Sequence, residues 1–390
     1  MNNQSRIGYY LKSSAVGGET YSVYIPQPLP PKPPVDLGQF YQLLDDANTS
    51  LGRLDAISTM LPNPSLFLYM YVRKEAVMSS QIEGTQSSLS DLLLFENGEL
   101  PSVSVEDVNE VSSYVAAMNY GLKRLEDFPL SLRLIREIHE KLMNNARGGN
   151  KQPGEFRTSQ NWIGGSRPGN ARFVPPSPEH LMNCLDNFEK FLHDENVKLP
   201  ILVKAALAHV QFETIHPFLD GNGRLGRLLI TFMLCANNIL KEPLLYLSLY
   251  FKTNREEYYN QLQSVRLTGD WESWIKFFLT GVLETANQAT ATAQAIITLF
   301  KKDKEIIEQS GKLNPSLLAV YNYLQKNPLT NSSSIKKDCD ISLPTALRAL
   351  DILQSLNIAK EITGKDRHMI FAYQEYLNII NSETSSPFKG

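Results

Sequence analysis

Apolar residues return every three or four positions along most of the chain, as in LGQFYQLLDDANTSLGRLDAI, PSLFLYMYVRKEAVMSSQIEG, VEDVNEVSSYVAAMNYGLKRL and SLRLIREIHEKLMNNA. This spacing lines one face of an α-helix, and the two-residue alternation of a half-buried strand is scarce. Gly84 suits a helix end in the left-handed conformation, and Pro129 followed by Ser131 suits a new start. The period breaks between Pro153 and Pro178, where Gly, Pro, Asn and Ser surround two short apolar stretches, NWIGG and ARFVPP. That composition predicts a β-hairpin or flap. Helical spacing resumes in PEHLMNCLDNFEKFLHDE, LPILVKAALAHVQFETI, GRLGRLLITFMLCANNIL and NREEYYNQLQSVRL, and again from Trp271 onward. Past Gly311 the units shorten to three helical stretches and two short strands turning at Gly364 to Asp366, the order of a winged helix. Near the other end, six prolines between Pro26 and Pro34 fix φ repeatedly and predict an extended arm lying on its own domain.

The expected fold is therefore all-α, a helical bundle interrupted by one flap, with a small C-terminal winged-helix domain. Its expected parts are an arm and helical region over 1–120, a core over 121–310 and the last domain over 311–390. With 390 residues, such a chain is long enough for two or three domains.

Lys and Arg number 38 against 41 Asp and Glu, a formal charge of −3, so no global attraction to nucleic acid or anionic membrane is expected. Cys184, Cys235 and Cys339 are odd in number and far apart, which argues against a disulfide framework and for a reducing compartment. MNNQSRIGYYLKSS lacks the apolar run of a secretory signal, and LLITFMLCANNIL is too short and polar to cross a bilayer of about 30 Å. A cytoplasmic protein is expected.

The densest polar cluster is HPFLDGNGRLGR, from His216 to Arg227, between two helical stretches apolar enough to be buried. Pro217 and Gly221 place His216 and Asp220 in a loop. The small residues there let backbone N–H groups reach an anion at the start of the following helix. Arg224 and Arg227, three apart, share one helical face, where guanidinium groups can hold terminal phosphate oxygens. Asp220 can give one hard oxygen to Mg²⁺, and His216 can take a proton from a hydroxyl attacking phosphorus at neutral pH. Phosphoryl-type or nucleotidyl transfer is the chemistry expected. The literal G-x-G-x-x-G in GNGRLG lacks the preceding strand of a dinucleotide fold, a Walker loop is absent, and His209 and His216 are too far apart for H-E-x-x-H.

HPFLDGNGRLGR resembles the signature of Fic-domain proteins, H-P-F-x-[DE]-G-N-G-R-x-x-R, at every specified position. The resemblance implies an all-α Fic core that transfers AMP from ATP to a Ser, Thr or Tyr hydroxyl of a protein, which could be the chain itself, with release of pyrophosphate. It implies His216 as general base, Asp220 as the Mg²⁺ ligand, and the run Gly221, Asn222, Gly223, Arg224, Leu225, Gly226 and Arg227 as the nucleotide cradle, with Arg227 on the terminal phosphate. Trp162, Ile163 and Gly164 in the flap would align a target segment by strand addition. Upstream, Ser79 through Gly84 fits [ST]-x-x-x-E-[GN] and is similar to the inhibitory helix of many such proteins. Glu83 paired with Arg227 would occupy the guanidinium that the terminal phosphate needs. Tyr258 and Tyr259 sit where family members enclose the adenine.

Two further classes of function stay open at this point. One is a DNA-binding regulator that uses the core as a nucleotide sensor, and the other is an enzyme removing AMP from modified protein. The helix SLPTALRALDILQSLN offers Arg348 but carries Asp351 beside it, and Lys336, Lys337, Lys360, Lys365 and Arg367 are largely offset by Asp338, Asp340, Glu361 and Asp366. Protein interaction or assembly as a homodimer is favoured over DNA on that charge balance.

Overall fold

The computed structural model describes residues 3–14, 18–60, 64–144, 151–365 and 369–381. It opens on a hairpin that the sequence pattern did not predict, β1 (Tyr9–Ser14) against β2 (Thr20–Ile25), antiparallel with Tyr9 opposite Ile25. The proline arm then runs over the fold, where the Arg6 guanidinium donates to Pro33 O at 2.8 Å and Pro34 O at 2.7 Å and pairs with Glu272 at 2.7 Å.

The bundle is built from α1 (Tyr41–Met60), α2 (Pro64–Ile82), α3 (Leu89–Glu96), α4 (Val105–Leu125) and α5 (Leu132–Met143) before the 153–178 segment. After it come α6 (Pro178–His193), α7 (Ile201–Ile215), α8 (Asn222–Ala236), α9 (Ser248–Thr253), α10 (Arg255–Thr268) and α11 (Trp271–Gln309). Ser131, expected at a helix start, accepts from Leu134 N; Ser104 likewise accepts from Asp107 N, and Ser88 and Asp91 form a reciprocal box. Leu134, Ile135, Ile138 and Leu142 of α5 are buried at helical spacing, giving the helix one wet and one dry face. α7 differs, since nearly every residue from Leu202 to Ile215 is buried. It is the central rod, and the indole of Trp274 in α11 donates to its Ala206 carbonyl at 2.9 Å.

The last part runs α12 (Pro315–Lys326), β3 (Leu329–Asn331), α13 (Ser332–Asp338), α14 (Leu343–Ser355), β4 (Lys360–Glu361), β5 (Ile370–Ala372) and α15 (Gln374–Asn381). The sheet order is β3-β5-β4, with both pairs antiparallel. This is the element order expected of a winged helix. Asp366 and Arg367, at the expected turn, lie outside the described residues. The unit sits on the helices that lead to Glu83: Lys74 Nζ of α2 donates to Ile380 O at 3.1 Å, Asn97 Nδ2 to Leu329 O at 2.9 Å, and Lys365 pairs with Glu99 at 2.9 Å.

The 153–178 segment is the expected flap in a minimal form. It holds no strand ladder, only one antiparallel bridge between Ile163 and Phe173 and a 3-10 turn at Pro168–Asn170. Its prolines lack the N–H donors that a longer ladder would use. One side is taken up by the hairpin, where Tyr24 N donates to Val174 O at 2.9 Å. Among the described residues, no helix is long and apolar enough to cross a membrane.

Candidate active site

The turn between α7 and α8 begins with a strained residue. His216 caps α7 at φ 49°, ψ 61°, in the left-handed region that side chains with a Cβ seldom adopt. Such a conformation persists only when neighbours over-determine it. Arg157 supplies much of that support: its backbone N donates to Pro217 O at 2.9 Å, its Nε to His216 O at 2.9 Å, and its Nη2 to Ile215 O at 3.4 Å and to Pro176 O. Asn161 Nδ2 donates to Phe218 O at 2.9 Å. Asn222 closes the turn with both arms, accepting from Phe218 N and donating to Phe218 O, each at 2.9 Å. Gly221, at φ 76°, starts α8, and a Cβ there would meet Met143 S at 2.7 Å. Glycine is therefore needed on both conformational and steric grounds.

His139 of α5 holds the turn from below. Gly154 N donates to its Nδ1 at 2.9 Å, so that nitrogen accepts and Nε2–H donates to Asp220 O at 3.0 Å. The ring stacks on Phe218 at 3.7 Å between centroids. Burial lowers its pKa to about 4, so it stays neutral at physiological pH.

His216, Asp220, the start of α8, Arg224 and Glu83 converge on one cleft of about 250 Å³. Burial, helped by the charges of Arg157 and Arg266, lowers the His216 pKa to about 4, against a smaller opposing effect of the Glu213 backbone. The imidazole is thus neutral and free to accept a proton at pH 7. Asp220 is half-exposed at the mouth, its Oδ1 accepting from Gly221 N at 2.6 Å. No group of three or more metal-ligating side chains occurs among the described residues. That donor set fits a magnesium ion held by one carboxylate, with phosphate and water filling its other positions.

The two arginines, both buried, are held differently. Arg224 Nη1 lies 3.1 Å from Glu110 Oε1 but out of hydrogen-bond alignment, and its Nε has no partner. Arg227 donates through Nε to Ser79 Oγ at 2.8 Å and through Nη2 to Ser79 O at 3.0 Å and Glu83 Oε1 at 2.8 Å. Desolvation pushes the Glu83 carboxyl up, but Arg227, with Arg224 and His216 behind it, outweighs this and holds it below the usual range. Ser79 and Glu83 are four apart on and just past α2, so the helix period carries both to one guanidinium. Gly84, at φ 100°, turns the chain away, and a Cβ on Gly223 would strike Glu83 Oε1. A glycine at 223 is what lets the carboxylate lie across the start of α8.

Other expected site residues sit elsewhere. Leu225 is fully buried in the core, and Gly226 faces α7, its carbonyl accepting from His209 Nδ1 at 3.0 Å. Tyr258, expected beside a base, is packed among Phe251, Trp274 and His209, with its hydroxyl donating to His209 Nε2 at 2.8 Å. Its neighbour Tyr259, about 100° further round α10, lines a smaller recess with Ile163, Phe173 and Glu213. Trp162 is exposed at 38% and Gly164 has φ 69°, while Ile163 makes the single bridge. Sequence reasoning passed over Arg157, Asn161, His139, Glu110 and Glu213. The one signal for Arg157 was a cation inside PGEFR, where prolines and glycines leave carbonyls in need of donors.

With the geometry in view, comparison with known proteins is informative. The model of the Fic/DOC family N-terminal region matches residues 41–123, and that of the Fic/DOC family matches residues 129–234. The chain belongs to the Fic/DOC family. It is 30% identical over 287 residues to the protein adenylyltransferase fic-1 of Caenorhabditis elegans, an alignment covering 72% of this chain and 50% of that protein. It is 34% identical over 205 residues to the protein adenylyltransferase Fic of Aedes aegypti, covering 50% and 37%. The chain thus spans half or less of the length of these curated relatives. A crystal structure of a Fic family protein from Desulfovibrio desulfuricans G20 superposes with a TM-score of 0.56 at 18% identity, over 89% of this chain and 98% of that one, which bears on the fold.

Proposed function

We propose that the chain is a protein adenylyltransferase that moves AMP from ATP to a Ser, Thr or Tyr hydroxyl of a protein, which could be itself, and that Glu83 holds it in check. The observation that carries this reading is the meeting of His216, Asp220 and the start of α8 in one cleft whose next guanidinium, Arg227, is already paired with a carboxylate. A terminal phosphate and the Glu83 carboxylate are alternative anions for one buried cation.

In the reaction, the neutral His216 takes the proton of the acceptor hydroxyl as its oxygen bonds to the α-phosphorus. The bond from that phosphorus to the β-phosphate oxygen breaks, and pyrophosphate leaves. Backbone N–H groups at Asn222 and Gly223 and the Arg224 guanidinium would meet the phosphates and balance their charge. Asp220 would hold magnesium, which would supply positive charge to offset that of the leaving pyrophosphate. The open edge of the segment at Trp162 to Gly164 would guide the target chain by backbone pairing. Residues 1–120, 121–310 and 311–390 serve in this reading as inhibitory region, catalytic core and a C-terminal docking or assembly unit, in the cytoplasm.

The test uses α-labelled ATP with Mg²⁺. Label on protein should rise in Glu83→Gly and fall about 10²–10⁴-fold in the further variant His216→Ala. Glu83→Gly protein that binds ATP yet labels nothing in a whole-cell extract overturns the proposal.

A further inference from the structure

Arg224 stands between two carboxylates. Its Nη1 lies 3.1 Å from Glu110 Oε1 of α4, and its Nη2 lies 3.9 Å from Oδ1 of Asp220, four residues back along its own chain. Glu110 and Arg224 are buried, whereas Asp220 is half-exposed at the cleft mouth. Attraction across a dry contact far exceeds that to a wet carboxylate, so the guanidinium is drawn towards Glu110. That acid is fixed independently of the pull, because Thr85 Oγ1 donates to the same Oε1 at 2.9 Å. Thr85, Glu110, Asp220 and Arg224 all line the phosphate cleft. Glu110 and Glu83 nevertheless treat their arginines differently. Glu83 accepts an aligned bond from Arg227 at 2.8 Å, so it occupies a donor that a phosphate would use. Glu110 lies near Arg224 without such alignment, and Arg224 Nε and Nη1 have no hydrogen-bond partner, while Nη2 meets Met143 S at 3.7 Å. Buried donors left unpaired cost free energy, so these mark a place for an anion. Charge fixes where this guanidinium sits, and its hydrogen bonds remain to be made.

Resting on the nucleotide reading above, we propose that Glu110 is a positioning residue that holds Arg224 off Asp220. A small rotation would turn the 3.9 Å approach into a guanidinium–carboxylate pair, since an acid and a base four apart at a helix start reach each other readily. Such a pair would consume both partners at once. Asp220 would lose the lone pairs that a magnesium ion needs, and Arg224 would lose the donors that a phosphate needs. The carboxylate of Glu110 prevents this by giving the guanidinium a nearer and drier counter-charge. It also keeps a buried cation balanced, which an unaccompanied Arg224 would not be.

The experiment measures binding to the full chain carrying Glu83→Gly and His216→Ala, so that nucleotide is neither excluded nor consumed. The ligands are ATP with Mg²⁺, ATP with EDTA, and inorganic tripolyphosphate with EDTA. This parent should bind ATP about 10- to 100-fold more tightly with Mg²⁺ than without. Glu110→Gln should cut that ratio about 10-fold and also weaken metal-free tripolyphosphate binding, because Asp220 captures Arg224. In an Asp220→Asn background no rival acid remains, so adding Glu110→Gln should leave tripolyphosphate binding no weaker. A purely structural Glu110 would weaken it equally in both backgrounds, and a second inhibitory acid would tighten it on removal; either result overturns this inference alone. Glu110→Asp keeps the buried charge with a shorter reach, should lose part of the ratio, and takes the place of Glu110→Gln should that variant not fold. An unchanged ratio in the variant that folds, or a parent that gains nothing from Mg²⁺, also overturns the inference. A parent that binds neither ATP nor tripolyphosphate overturns the nucleotide reading and this inference with it.

Discussion

The turn at residues 216–222 and the tip of the segment that covers it, residues 162–172, are both loops, yet they are held in opposite ways. In the turn, four successive carbonyls, those of Ile215, His216, Pro217 and Phe218, accept bonds from Arg157, Asn161 or Asn222. The tip is held by one bridge, by a 3-10 turn in which Asn170 Oδ1 accepts from Ser166 N and Arg167 N at 3.0 Å, and by an ion pair from Arg167 to Glu19 at 3.1 Å, beside an exposed tryptophan. Two of the anchoring side chains, Arg157 and Asn161, come from the base of that same segment, so one stretch of chain fixes the histidine from its base and presents an exposed edge at its tip. The difference follows from what each part must do. Phosphate geometry tolerates little error in the groups around it, whereas a docking edge must accept a flexible target.

The comparison breaks most readily at Arg157. Arg157→Leu leaves several buried carbonyls without donors and should cost about 3–5 kcal/mol in urea unfolding, with loss of AMP transfer. A variant as stable as the parent would mean that the turn does not depend on that guanidinium. Asn222→Ala removes both bonds to Phe218 and should cost about 1–3 kcal/mol, most of it as faster hydrogen exchange in the turn and none at the tip.

Acid sharpens the contrast. His139 has a folded pKa of about 4 against an ordinary 6.5, so between these values the unfolded chain binds the extra proton and stability falls as pH falls. The parent should lose about 1.4 kcal/mol more per pH unit in that window than His139→Gln. Parallel stability curves for the two proteins would remove the buried neutral imidazole from the account. The smallest effect belongs to the tip: Trp162→Ala should leave stability within about 0.5 kcal/mol while raising the KM for protein substrate several-fold. An equal change in self-labelling and in labelling of a separate target would deny the tip a docking role.

Legibility followed chain distance. His216, Asp220, Arg224 and Arg227 could be read as one site because twelve contiguous residues carry them on a turn and the first two turns of a helix. Glu83 could be named only through the likeness of Ser79–Gly84 to a family motif, since its partner Arg227 lies 144 residues away. The supports could not be read: Arg157 is 59 residues from His216, and His139 is 81 from Asp220. Tyr258 and Tyr259 show the same limit at close range, since neighbours on a helix point about 100° apart and only the packing of α10 on α7 decided which faces the core.

By itself the sequence determined most of the helices and the site-bearing turn, which depend on periods and spacings of a few residues. Tertiary structure alone decided which side chains hold His216 in its left-handed conformation, which tyrosine lines a recess, and that Glu213 is buried with its Oε1 unpaired. Those outcomes depend on which distant surfaces exclude water together, and desolvation has no local signature in the chain.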